Sequence, residues 1–238
     1  MQPLLPSPVG FAHRGGRAHG PGNRLATFVA ALDRGAGGLE SDVWLTADGV
    51  AVLDHDGVVR AGLRRRPISS VARSALPAEV ASLEDLYTTC GTGFDLSLDV
   101  KDAAAAEVVV AVARAARGDA LGRLWLAGGD WREVARWRPL AEEIHLVDST
   151  RIRHMREGPE RRAASLAEAG VDAVNLHASD WSGGLTTLFH RFERLCLGWD
   201  AQFERVLDEL LGMGVDGVYS DHVDRLVASL DRRAGRAT

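Results

Sequence analysis

Short apolar runs of β character alternate with segments of helical spacing along almost the whole chain. The first run, Val9-Gly-Phe-Ala, leads through a glycine-rich loop into Leu25-Ala-Thr-Phe-Val-Ala-Ala-Leu, a helix closed by Gly35. Residues 39–45 predict a second strand. Thr46-Ala-Asp-Gly then turns the chain into residues 50–53, so a hairpin extends that unit. Residues 57–81 are basic, Pro-containing and aperiodic, and read as an inserted loop before Ser82 caps Leu83-Glu-Asp-Leu-Tyr. Beyond it the alternation is regular. Strands are predicted at 94–100, 123–127, 144–147, 173–176, 194–197 and 217–219. Each is followed by a helix, at 103–117, 131–137, 160–169, 184–192, 202–213 and 223–230. Gly118, Gly170 and Gly214 stand where left-handed helix terminators belong.

With the hairpin counted into the second unit, the chain holds eight βα units, the pattern of a single-domain (β/α)8 TIM barrel. A doubly wound open sheet is the runner-up. It would need a GxGxxG loop between the first strand and helix, and residues 15–24 do not supply one. The barrel also gathers every strand C-terminus on one rim. Four polar clusters end strands and so meet there: His13-Arg14-Gly15, Glu40-x-Asp42, His55-Asp56 and Asp99-x-Lys101. Residues two apart on a strand share a face, so Glu40 and Asp42 address one target, as do Asp99 and Lys101. Carboxylates, imidazoles, an Arg and a Lys make a poor core but a suitable seat for a metal and a phosphate.

Composition sharpens one of these positions. Among 28 basic residues Lys101 is the only lysine. A compact ammonium where arginine serves everywhere else points to a point charge required on a phosphate oxygen. The 238 residues fit one large domain, and a formal charge of -5 argues against a nucleic-acid binder. The Arg64-Arg65-Arg66 run reads as a solvated loop within reach of an anionic substrate. Cys90 and Cys196 have no metal or redox spacing and read as free thiols. No segment has the length of a membrane span and no signal peptide is evident, so a cytoplasmic protein is expected.

In this order the clusters become specific. Phe11-Ala-His-Arg-Gly-Gly with Pro21, Asn23 and Leu25-Ala-Thr-Phe resembles the first motif of the glycerophosphodiester phosphodiesterase family. The likeness continues through Leu39-Glu-Ser-Asp-Val-Trp to Leu53-Asp-His-Asp, through Leu96-Ser-Leu-Asp-Val-Lys, and to Gly214-Val-Asp-Gly-Val-Tyr-Ser-Asp. The resemblance implies a barrel with one divalent cation, Mg2+ or Ca2+, that cleaves a small-molecule phosphodiester into glycerol 3-phosphate and an alcohol. It implies His13 and His55 as the catalytic histidines, with His55 as base and His13 as acid. It implies Glu40, Asp42 and Asp99 as metal ligands, Arg14 and Lys101 as phosphate-binding residues, and Trp199 on the substrate's glycerol side. Asp99 stands where relatives often have Glu, and the related sphingomyelinase-D-like barrels also use Asp there. Oxygen-only ligation suits Mg2+ or Ca2+ better than Zn2+.

Two positions depart from the family pattern. Pro21-Gly22-Asn23-Arg24 replaces the usual Pro-Glu-Asn-Thr, which removes a carboxylate expected near the catalytic histidine and adds a cation. Arg24 is opposed by the helix dipole and is expected to reach outward to an anionic substrate. Asp200 follows Trp199 where relatives tend to have Thr, adding an acid on the substrate side. Asp221 reads as the cap of the final helix, and His177 and His222 as structural residues near the rim. A lysophospholipase-D-type lipid phosphodiesterase and a non-catalytic metal- or ligand-binding barrel stand as alternatives.

Overall fold

The computed structural model describes residues 1–61, 64–116 and 118–235. Strands β1 (Val9–Ala12) and β2 (Gly38–Leu45) flank helix α1 (Leu25–Asp33). β3 (Ala51–Leu53) returns antiparallel on β2, pairing Val43 with Leu53 and Leu45 with Ala51, as the turn signal predicts. A second antiparallel hairpin, β4 (Val58–Ala61) with β5 (Arg64–Pro67), precedes α2 (Leu83–Cys90). Then follow β6 (Asp95–Val100), α3 (Ala105–Ala115), β7 (Leu124–Gly128), α4 (Trp131–Ala135), β8 (His145–Thr150) and α5 (Pro159–Glu168). β9 (Ala173–His177), α6 (Gly183–Arg191), β10 (Leu195–Trp199), α7 (Glu204–Met213), β11 (Gly217–Ser220) and α8 (Val223–Gly235) complete the chain.

Eight of these strands run parallel in the order β1, β11, β10, β9, β8, β7, β6, β2, and a β1–β2 pairing closes the ring. The expected (β/α)8 barrel is the observed fold. Its apolar residues fall into two layers because strand side chains alternate between faces. Leu39, Val43, Leu96, Leu98, Val174 and Cys196 point outward into the core shared with the helices. Phe11, Trp125, Val147, Leu197 and Tyr219 point inward and fill the barrel. Phe11 stacks on Tyr219 with ring centroids 4.6 Å apart and meets Trp125 edge-on at 5.7 Å. The plug makes the barrel a packed core, open only at its rim.

The segment read as an irregular loop, 57–81, is more ordered than expected. Val59, Ile68, Val71, Leu76 and Val80 bury themselves against Val52 in a small core of their own. The segment hides its order in sequence because β5 is all exposed arginine and proline, with no alternating apolar face to announce a strand. Gly62 and Leu63 of this segment lie outside the described residues, as does Arg117 at the predicted end of α3. Gly170 and Gly214 have φ of 70° and 84°, the left-handed conformation expected of helix terminators, whereas Gly118, with φ 89°, stands beyond a helix already ended by extended Ala116.

Candidate active site

Register brings the acids together. Across the parallel pair β2–β6, Asp42 stands opposite Asp99 and Glu40 opposite Ser97. All four share the inward parity of their strands, so Glu40, Asp42 and Asp99 face the top of the barrel. Lys101 lies two residues past Asp99, its backbone N–H held by the Val43 carbonyl at 3.1 Å. The last turn of the barrel's plug is the Ser97–Tyr219 hydroxyl pair, 3.0 Å apart and directly beneath these groups.

His13 and Arg14 come off β1 in a turn whose backbone calls for glycine at the two positions that follow. Arg14, Gly15 and Gly16 have φ of 50°, 78° and 83° in succession. A Cβ on Gly15 would strike Phe28 at 2.8 Å, and one on Gly16 would strike Val223 at 2.4 Å. Arg14 accepts the left-handed conformation at a cost of about 1 kcal/mol. The gain is that its N–H points at Glu40 Oε2, 2.9 Å away. Asn23, also left-handed with φ 56°, anchors the loop by accepting the Ser41 hydroxyl at 3.0 Å and donating its N–H to the Arg14 carbonyl at 3.0 Å.

These residues line one cavity of about 510 Å3 at the strand C-termini. His13, Arg14, Glu40, Asp42, His55, Asp99, Lys101, Trp199 and Asp200 all reach it, so every expected site residue is on its wall. His13 Nδ1 is paired with Asp221 Oδ1 at 2.6 Å, which turns Nε2 toward Glu40 Oε2 at 3.7 Å. His55 Nδ1 is paired with Asp56 Oδ1 at 2.8 Å, leaving its other ring nitrogen to the cavity. On the far wall Trp199 meets His177 edge-on with centroids 4.6 Å apart, and His177 Nε2 lies 3.1 Å from Asp200 Oδ2.

Burial crowds the charges. Desolvation, helped by Asp42 and Asp99, pushes the Glu40 carboxyl up to about 7 against the pull of His13 and of the Arg14 N–H. Burial likewise raises Asp99 despite Lys101 beside it. For His13, burial works to lower the pKa, but Glu40 and Asp221 outweigh it and the imidazole is raised. Asp221 itself is held below its ordinary value, burial being overcome by the His13 hydrogen bond and charge.

Glu40, Asp42 and Asp99, the expected cation ligands, have the oxygen chemistry a hard cation takes, but the structure does not gather all three around one point. Asp42 Oδ2 is buried without a hydrogen-bond partner, and so is Arg14 Nε, 3.8 Å away. Orphaned buried oxygen among three carboxylates asks for positive charge. Lys101 Nζ supplies part of it, 3.1 Å from Asp42 Oδ1 and 2.5 Å from Asp99 Oδ2. Glu40, Asp42 and Asp99 do not all bring oxygens within 4.8 Å of one another, and Lys101 stands between the two aspartates. Among the described residues the group that does is His190, Cys196 and Asp216. It sits at the opposite end of the barrel, and Asp216 is already saturated there by N–H groups of Leu4, Leu5 and Cys196 and by His190.

Asp221 corrects the sequence reading, which made it a helix cap. Its carboxylate turns inward to His13, and it supplies the carboxylate beside the histidine that the departure at Gly22 was expected to remove. Its place at the end of a barrel strand was the available signal. His177 keeps the structural role expected near the rim, packing edge-on against Trp199 and bonding Ser179 and Asp200. Gln202 was not singled out at all. It accepts the Asp221 N–H at 2.9 Å and donates to Asp200 at 3.1 Å, joining the two walls.

Comparison with known proteins gives the family. The Glycerophosphoryl diester phosphodiesterase family matches residues 13–225. A Mycobacterium tuberculosis protein bearing the name "Probable glycerophosphodiester phosphodiesterase 2" is 30% identical, over 92% of this chain and 89% of its own. A Macaca fascicularis relative, glycerophosphodiester phosphodiesterase domain-containing protein 4, is 39% identical but only over 75 residues, 32% of this chain and 12% of its own length. Among solved structures, the glycerophosphodiester phosphodiesterase of Thermotoga maritima superposes with a TM-score of 0.79 at 18% identity, covering 94% of this chain and 99% of its own. An Oleispira antarctica phosphodiesterase, solved in complex with the product sn-glycerol-3-phosphate, gives a TM-score of 0.76 at 19% identity, over 94% of this chain and 97% of its own. Fold, strand-end chemistry and a match over nearly the whole chain agree, and the chain belongs to the glycerophosphoryl diester phosphodiesterase family.

Proposed function

We propose that the chain hydrolyses a glycerophosphodiester to glycerol 3-phosphate and an alcohol, with a divalent cation, Mg2+ or Ca2+, and two histidines. The observation that carries this reading is that His13, His55, the three acids, Arg14 and Lys101 line one cavity. Family membership supports the substrate class, and a structural neighbour binds sn-glycerol-3-phosphate. Glu40, Asp42 and Asp99 would hold the cation, which supplies Lewis-acid charge on a phosphoryl oxygen. Lys101 and Arg14 then face the phosphate, where their charge stabilises the negative charge that builds up as the bond to phosphorus forms. Asp56 fixes His55 through Nδ1, so Nε2 takes the proton from the attacking oxygen. Asp221 fixes His13 in the same way, and Nε2 gives a proton to the departing alcohol oxygen. The phosphorus–oxygen bond to the alcohol breaks as the new one forms, and one water is consumed overall. Trp199 and Asp200 offer an apolar face and a hydrogen-bond acceptor to the glycerol end.

Two variants separate the roles. Glu40→Ala should abolish both cation binding, read by calorimetry, and release of glycerol 3-phosphate from glycerophosphocholine. His13→Ala should cut turnover by about 10²–10⁴ while cation binding persists. Loss of cation binding in both variants would overturn this division, and failure of the unaltered protein to cleave any diester would make it a binding barrel.

A further inference from the structure

A second cavity, of about 210 Å3, opens beside the main one and shares Arg14, Arg17 and His55 with it. Gly22, Asn23, Arg24, Asp54 and Asp56 form the rest of its wall. The acids there are committed. Asp54 Oδ1 accepts the N–H groups of Asp56 and Gly57, each at 2.9 Å, and Asp56 holds His55. The arginines are less so, Arg24 least of all. Arg24 donates to the uncharged Glu79 carbonyl at 2.9 Å, and among the described residues no carboxylate oxygen comes within 4.0 Å of its guanidinium. Arg14 Nε is buried without a hydrogen bond, 3.8 Å from Asp42 Oδ2, and Arg17 Nε stands 3.6 Å from the Asp221 carboxylate that already serves His13.

Space matches charge. Gly22 leaves the wall beside Arg14 bare, and a Cβ there would press on the Arg14 side chain at 3.0 Å. The exposed β4–β5 hairpin follows directly and brings Arg65 close enough that it joins His55 in holding the Asp56 carboxyl below its ordinary value. In a chain of formal charge -5, this concentration of guanidinium groups beside the main pocket, with Arg24 free of any carboxylate within 4.0 Å among the described residues, is local.

We propose that this cavity is a second anion subsite and that the preferred substrates carry a further phosphate beyond the scissile one. The inference rests on the phosphodiesterase reading of the neighbouring pocket and names the substrate class within it. Guanidinium forks match a phosphate in two parallel hydrogen bonds, so Arg24 with Arg17 would hold the second phosphate while Arg14 and Lys101 address the scissile one. His55 stands on the boundary between the two.

The test is kcat/KM for two diesters, glycerophosphoinositol 4-phosphate and glycerophosphoinositol. The unaltered protein should prefer the phosphorylated diester by about tenfold, the worth of one or two charge-assisted hydrogen bonds. Arg24→Gln should bring that ratio near one, and Arg24→Lys should restore part of it. A ratio at or below one in the unaltered protein, or a ratio that Arg24→Gln leaves in place, overturns the subsite. If neither diester is cleaved, the activity reading fails on its own. Calorimetric binding of the same two compounds to the unaltered protein then decides the subsite, tighter binding of the phosphorylated one supporting it and equal binding overturning it.

Discussion

At the scale of single residues, the site was legible wherever chemistry coincided with a strand end. Lys101 stood out by composition and is found between Asp42 and Asp99. Glu40, Asp42 and Asp99 stood out by period-2 spacing, and their register across β2–β6 explains why that spacing works. Asp221 was misread because an acid just before a helix has two uses, and sequence does not say which way its side chain turns. The structure gives it the second use, and a consequence can be measured. Asp221→Asn keeps the shape but presents an amide that need not select the Nδ1-protonated ring of His13. We expect kcat to fall by about 10²–10⁴ with cation affinity retained, since Asp221 touches none of the three expected ligands. Unchanged kcat would make the pair a packing feature only.

At the scale of elements, α2 shows how local sequence fixes an end. Ser82 accepts the Asp85 N–H at 3.0 Å and Asp85 accepts the Ser82 N–H at 2.9 Å, a reciprocal box that the serine alone announced. For Asp85, burial raises the pKa, but the two Ser82 hydrogen bonds and Arg73 outweigh it, and the carboxyl lies below its ordinary value of 3.8. A carboxyl depressed in the folded state stabilises at pH above its unfolded value and loses that contribution as pH falls through the folded one. Asp85→Ala should therefore cost about 1 kcal/mol in urea unfolding at neutral pH, and the gap should narrow in acid below the ordinary carboxylate range. A gap that does not change with pH would remove the ionised side chain from the explanation. Other elements were less legible. The predicted helix 131–137 stops at Ala135 and tightens into a 3-10 turn at Arg138–Leu140, because Pro139 cannot continue an α-helix. The β4–β5 hairpin escaped because one strand is arginine, and its small core is assembled from residues spread between Val52 and Val80.

At the scale of the molecule, the alternation of β and α segments gave the closed ring, while the way its base is sealed left no periodic trace. The N-terminal residues before β1 cross under the barrel, where Asp216, fully buried, receives them. Its carboxylate accepts the N–H groups of Leu4 and Leu5 at 2.5 and 3.0 Å, that of Cys196 at 2.7 Å, and His190 Nε2 at 2.8 Å. Four donors from three stretches of chain thus meet one charge, which ties the start of the chain to the turns before β10 and β11. A buried carboxylate is tolerable only because those donors replace its water. Asp216→Ala would leave all four unpaired in a dry site, so the loss exceeds that of one hydrogen bond and should reach about 3 kcal/mol. For a domain of this size that is a fall of about 6–12 °C in Tm. The same variant should keep the KM of the unaltered protein where it still folds, because the base lies at the far end of the barrel from the cavity at the strand C-termini. A Tm within about 2 °C of the unaltered protein would mean that the N-terminal segment is not held by this carboxylate.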